Sequence, residues 1–267
     1  MRREQAVISL IWLVAFLPAC RGTFADLGSV TPNCANELPA EKWTDLLAKN
    51  PPEEVALVEL HEHSTPEKSG GGWVQENGRI SARGGATFRS LITRCPVGNF
   101  ELEFAWSVSM AGNSGIKYLV SASPGPTFAK GLEYQILDDA HHPDARAGEN
   151  RQSGALYDLM APAKTKKLNP PGETNLGRIV FKNGKGEHWL NGAKILEFDT
   201  ANAEFQKRIL QSKFRHIPDF ARGARGHLLL QHHGDAVEFS QLRIRSNLVD
   251  DQVVRNPERW GPGPARR

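Results

Sequence analysis

The sequence predicts an all-β fold: a sandwich or jelly roll of two antiparallel sheets, with one short helix and a long polar insertion. Three observations carry the prediction. In 100–110, Phe100, Leu102, Phe104, Trp106, Val108 and Met110 alternate with mostly polar residues, the period-two signature of a half-buried strand. Its outward residues include Glu101 and Glu103. Further short β-rich runs follow without alternating helices, which argues against a parallel α/β sheet. Between two of them stands Asn191-Gly192, a pair that tolerates positive φ and favours a type I′ hairpin.

The elements follow in order. Arg2 and Arg3 precede an apolar run, Ala6 to Leu17, of signal-peptide length and short for a bilayer span. It ends in 17-LPAC-20, similar to a bacterial lipobox, with Pro18 as the departure. Residues 1–20 are therefore expected to be a signal peptide and Cys20 a lipidation site, with plain cleavage after Ala25 as the alternative. Either route exports the chain, to the periplasm or cell envelope, with a membrane anchor if Cys20 is modified. Residues 21–40, rich in Gly, Pro, Ser and Asn, read as a tether, and 41–50 as a short helix stopped by Pro51 and Pro52. One domain spans 41–248. Its later strands are expected at 115–121, 132–138, 178–182, 187–190, 193–198, 227–233 and 237–245, with a helix from Ala203 to Lys213. The insertion 139–177 is of the kind that carries function or lacks order. Residues 249–267, rich in Gly, Pro and Arg, are expected to form a mobile tail.

Composition narrows the function. Lys and Arg number 33 against 30 Asp and Glu, a net charge of +3. The basic residues are scattered apart from 164-KTKK-167 and 222-RGAR-225, so no nucleic-acid partner is expected. With Cys20 lipidated, Cys34 and Cys95 remain. An oxidising compartment permits them to pair; two free thiols is the other reading, since sequence does not give their separation.

Three polar clusters could carry chemistry. In 131-GLEYQILDD-139, Glu133 and Gln135 share one strand face, and Leu132, Tyr134 and Ile136 the other. That polar face is either solvated or a sugar-binding surface. In 231-QHHGD-235, Gln231 and His233 share one face and His232 takes the other, until Gly234 breaks the strand. Asp235 is spaced to orient an imidazole. Asp138, Asp139, His141, His142 and Asp144 form a loop cluster that either holds a divalent cation or is solvated. In 187-EHWLNG-192, Trp189 is expected to face the core or offer a stacking surface. There is no glycine-rich phosphate loop, GxSxG elbow or HExxH, so phosphoryl transfer and the common hydrolase nucleophiles lack support.

The segments 112-GNSGIKY-118, 131-GLEYQILDD-139, 154-GALYDLMAP-162, 187-EHWLNG-192 and 230-LQHHGDAVEF-239, taken in order, resemble the 3-keto-disaccharide hydrolase family. The resemblance runs from about Trp73 to Arg245. Segment 44–72 lacks the family's usual opening, Thr174 stands where the family tends to carry Trp, and His232 where it often has Asp. The resemblance implies a concanavalin- or laminin-G-like jelly roll acting on sugars oxidised at C3. Such glycosides are cleaved by hydrolysis, or by elimination followed by hydration. It further implies that His233, oriented by Asp235, transfers the proton, with Glu133 as the competing base. Asn113, Gln135 and Gln231 would bind hydroxyls or an enolate oxygen, and Tyr157 would cover the site. The resemblance leaves a cofactor open: a divalent cation could stabilise the enolate oxygen in place of those donors, with Asp138 or His142 as ligands. A non-catalytic carbohydrate-binding module of the same fold is the alternative.

Overall fold

The computed structural model describes residue 34 and residues 42–60, 72–85, 89–121 and 129–246. The signal peptide, the Cys20 lipidation site, the tether apart from Cys34, and the tail from 249 lie outside the described residues.

Two antiparallel sheets face each other. The strands are β1 (Thr44–Asp45), β2 (Leu57–Glu59), β3 (Trp73–Glu76), β4 (Arg79–Ala82), β5 (Leu91–Thr93), β6 (Val97–Gly98) and β7 (Phe100–Val108). They continue with β8 (Asn113–Val120), β9 (Leu132–Leu137), β10 (Asn175–Lys182), β11 (Lys185–Leu190), β12 (Ala193–Asp199), β13 (Arg225–His232) and β14 (Val237–Arg245). Two helices, α1 (Pro143–Ala147) and α2 (Ala203–Gln211), interrupt them. The eight-stranded sheet runs β12-β11-β10-β7-β14-β4-β3, with β1 on β14; the six-stranded sheet runs β2-β5-β13-β8-β9, with β6 on β13.

Alternation decides what each strand buries. Phe100, Leu102, Phe104 and Trp106 of β7 enter one apolar core with Ile116 and Tyr118 of β8, Tyr134 and Ile136 of β9, and Leu228 and Leu230 of β13. Met110 falls past the end of β7 and is 73% exposed. Asn191 (φ 47) and Gly192 (φ 85) both adopt the left-handed region, as the expected hairpin turn demands. Helix α2 starts where Asn202 Oδ1 accepts the Glu204 N–H, a standard N-cap. It buries Phe205 and Ile209.

The first expected helix does not form. Residues 44–45 instead pair with Ile244 and Arg243 at the edge of β14, and Trp43 lies under Arg243 and Arg245, 4.7 and 4.9 Å from the ring centre. Leu46 and Leu47 then drop into the core. Tertiary pairing has overridden a weak local preference. Cys34 and Cys95 are disulfide-bonded, with Cα atoms 5.5 Å apart and 61 residues between them in sequence. A loop of that length contributes about 4 kcal/mol on the chain-entropy model.

His188 and Trp189 point to opposite faces of β11, and of the two roles open to Trp189 it takes the stacking surface. His188 is wholly buried, accepting or donating between Tyr118 Oη (2.9 Å) and the Gly154 carbonyl (3.0 Å). Trp189 turns outward, with the Arg178 guanidinium over its ring.

Candidate active site

The polar side chains nominated above gather on the outer face of the six-stranded sheet. Register puts them there: Gln231 lies opposite Gly115, and Gly115 opposite Gln135. The next rung aligns Leu229, Lys117 and Glu133. Because side chains alternate, the face opposite the core collects Gln231, Lys117, Glu133 and Gln135. One end of it is apolar, with Val58, Ile92 and Leu229; the other is the site.

A cavity of about 200 Å³ opens over these strands, lined by Asn113, Glu133, Gln135, His142, Asp144, Tyr157, Lys213, Gln231 and His233. Its second wall comes from the insertion. The Tyr157 N–H donates to the Glu133 carbonyl at 3.0 Å, and Gly154 N–H to the Gln135 carbonyl at 2.8 Å, so the segment docks along β9. Gly154 (φ +80) leaves no room for a side chain, since a Cβ would sit 2.2 Å from Ile195 Cδ1. The insertion expected to be either functional or without order is therefore an ordered wall.

Hydrogen bonding within the cavity is incomplete. The Gln231 amide, oriented to suit its neighbours, donates to Glu133 Oε1 at 2.9 Å and accepts from Lys117 Nζ at 3.1 Å. His233 Nε2 lies 3.0 Å from the amide oxygen and 3.2 Å from its nitrogen, so the contact survives whether the ring is neutral or protonated. Gln135 is 1% exposed and its Oε1 has no partner, while its Nε2 reaches Asn113 Oδ1 only at 3.4 Å. A buried acceptor of this kind calls for a donor from a ligand or water. Gly115 supplies the clearance: a Cβ there would lie 2.7 Å from Glu133 Oε1.

Charges follow the same pattern. Burial pushes the His233 imidazole below its ordinary range, and Lys117 adds to this, while the Glu133 and Asp235 carboxylates oppose it. The ring is then neutral at pH 7, the state a base requires. Burial also lowers the Lys213 ammonium, against the pull of Glu133. Burial alone would raise Asp144, but the Tyr157 hydroxyl (2.7 Å) and Arg151 (2.9 Å) outweigh it and hold it below the usual carboxylate range.

Two expectations need correction. Asp235 does not hold His233: its Oδ2 accepts the Asn113 N–H at 3.1 Å, fixing the start of β8 instead. With that oxygen committed to β8, the Asp235 carboxylate acts on His233 through its charge, favouring the protonated ring. Asp138 does not line the cavity. It is spent on the Ala111 and Ala140 N–H groups and the His141 ring. His142 does line the cavity, yet its Nδ1 accepts the Asp144 N–H as the cap of α1. Among the described residues, no group of three or more His, Cys, Asp or Glu side chains converges as a metal centre. Lys213 was not singled out in the sequence, where a lysine closing an expected helix reads as solvated.

Fold and site together define the class: an antiparallel jelly-roll sandwich bearing a polar, partly unsatisfied cavity on one outer sheet face. The model of the 3-keto-alpha-glucoside-1,2-lyase-like domain matches residues 58–245, and the chain belongs to that family. A Bacteroides thetaiotaomicron protein named 3-keto-disaccharide hydrolase is 34% identical over 169 residues, 55% of this chain and 58% of the relative. The chain thus spans less than two thirds of that relative's length. A Parabacteroides distasonis structure described as a candidate glycosyl hydrolase superposes with a TM-score of 0.59 at 31% identity, covering 67% of this chain and 85% of that one. A second from the same organism, at 23% identity, covers 77% and 100% with a TM-score of 0.54, a likeness of fold.

Proposed function

We propose that the protein cleaves glycosides already oxidised at C3, by proton abstraction from C2, elimination of the aglycone and rehydration. The observation that carries this reading is the joined set Glu133–Gln231–His233 beside the unpartnered Gln135 Oε1, within the family's matched region. A C3 ketone acidifies the C2 hydrogen, so one modest base suffices. His233 removes that proton, and the C2–H electrons form a C2=C3 enolate. Return of those electrons expels the C1 substituent, which leaves as an alcohol once protonated. Water then adds across C1=C2, and the net change is hydrolysis. This route does not depend on two carboxylates flanking the anomeric carbon. Gln135, Asn113 and Gln231 hold the sugar hydroxyls, and Tyr157 closes the far wall.

Glu133 is the second reading for the base, because its carboxylate faces the clearance over Gly115. The exported, envelope-bound location belongs to the same proposal, and the Cys34–Cys95 disulfide supports it, since such bonds persist in oxidising compartments.

The test is to incubate the protein with 3-keto-glycosides and their unoxidised parents in deuterated water, following products by NMR. Cleavage of the keto substrates alone, with deuterium entering C2, is the expected result. Cleavage without deuterium at C2 would establish direct hydrolysis instead. Saturable binding without cleavage would favour the carbohydrate-binding alternative.

A further inference from the structure

Lys213 is the cavity cation that the mechanism above leaves unused. It follows α2 directly, and its backbone is pinned: its N–H donates to Asp158 Oδ2 at 2.8 Å, while Ser212 Oγ accepts the Phe214 N–H at 3.0 Å. Asp158 is itself held by Arg151 at 2.9 Å. The side chain reaches back over the insertion, so that Nζ lies 3.9 Å from the centre of the Tyr157 ring and 5.0 Å from that of Phe214. Both contacts are cation–π in kind and orient an ammonium without neutralising it. The nearby carboxylates are engaged elsewhere. Asp144 holds Arg151 and the Tyr157 hydroxyl, Asp158 holds Arg151 and the Lys213 backbone, and Glu133 takes the Gln231 amide. None of them forms an ion pair with Lys213.

We infer that Lys213 is a catalytic residue whose ammonium donates to the C3 oxygen of the keto-sugar and stabilises the negative charge that forms there. The inference rests on the proposed C2 proton abstraction and deepens it. When His233 takes the C2 proton, the electron pair moves into C2=C3 and the carbonyl π pair onto oxygen. That oxygen needs a preformed donor within the cavity. Lys213 Nζ keeps its three protons through this step and donates one hydrogen bond, so nothing is oxidised, reduced or transferred to it. A donor aimed where charge develops is worth far more in such a site than in water. The Tyr157 hydroxyl is not free for this role, being committed to Asp144.

The groups facing the ammonium are Glu133, Asp144, Asp158, Lys117, His233 and the Tyr157 ring. Burial lowers its proton affinity, and Lys117 lowers it further. The alkaline limb of activity therefore falls below the ordinary lysine range.

The test compares Lys213→Met and Lys213→Arg with the unaltered protein, using deuterium exchange at C2 and the pH profile of cleavage. Lys213→Met keeps the stem and is expected to slow exchange about a hundredfold or more, the scale of a lost oxyanion donor. Lys213→Arg is expected to recover part of that rate and to lose the alkaline limb, because guanidinium stays charged. Normal exchange in a folded Lys213→Met, beside an unaltered protein that exchanges, would overturn the role of Lys213 alone. Absence of exchange and cleavage in the unaltered protein would overturn the underlying reading and this inference with it. An alkaline limb unchanged in Lys213→Arg would also overturn it.

Discussion

The two outer sheet faces make opposite use of the same ingredient. On the eight-stranded sheet, Arg178 and Arg243 flank Glu103 in register, and Arg245 lies opposite Glu101. Glu101, 1% exposed, is clasped by Arg178 and Arg245, and Glu103 accepts from Arg243 Nε at 2.6 Å. Trp43 and Trp189 cover the guanidinium groups. Each of these acids has a base, and the pairs tie β10, β7 and β14 of one sheet together. On the six-stranded sheet, Glu133 and Gln135 are nearly as buried, yet among the described residues Gln135 Oε1 has no partner and Lys213 no ion pair. On the paired face Arg178 Nε also lacks a hydrogen-bond partner, but its guanidinium is held by Glu101 and stacks on Trp189, whereas the Gln135 acceptor on the other face opens onto a cavity.

That contrast can be broken from either side, and the largest effect is expected on the paired face. Glu101→Ala leaves the buried Arg178 without its carboxylate and should cost about 3–5 kcal/mol. A denaturant titration measures it, while turnover per folded molecule stays unchanged. Next is the core histidine between the faces. The unfolded ring takes a proton below about pH 6.5, while folded His188 stays neutral down to about 4. Stability is therefore full above pH 6.5 and declines as pH falls through this window, by about 3 kcal/mol. Urea midpoints across pH 4 to 7 should show the slope, and a His188→Gln variant should flatten it.

On the unsatisfied face the expected losses are catalytic. His233→Ala should lower turnover about a hundredfold, equivalent to about 2.7 kcal/mol of barrier, with little change in Tm. Gly115→Ala is the gentlest probe. Its methyl would displace the Glu133 carboxylate from 2.7 Å, and turnover should drop about tenfold without loss of fold. Unchanged kinetics in Gly115→Ala would show that Glu133 can move aside at no cost.

Why only part of this was readable in the sequence follows from the range of the forces involved. Strand β7 and the Asn191-Gly192 turn declare themselves through alternation and positive φ, which are local. Glu133, Gln135 and Gln231 could be nominated because each interrupts an apolar strand. Their convergence could not, since it depends on the β13-β8-β9 register. Residues 41–50 looked helical because nothing local announces Arg243 and Arg245, which draw Trp43 onto β14. Glu101 and Glu103 do point outward, but nothing nearby in sequence says that Trp43 and three arginines will bury them. Asp235 and His233 had suitable spacing, but nothing local says that the carboxylate accepts the Asn113 N–H. Lys213 was silent because a cation after a helix acquires meaning only through the Tyr157 ring beneath it.

The most direct test of the central contrast is an NMR titration with a 3-keto-glycoside, following side-chain N–H signals on both faces at once. Shifts are expected at the Asn113, Gln135 and Gln231 amides, with the Arg178, Arg243 and Arg245 Nε–H signals unmoved. Shifts confined to the arginine face, with the three amides unchanged, would contradict it.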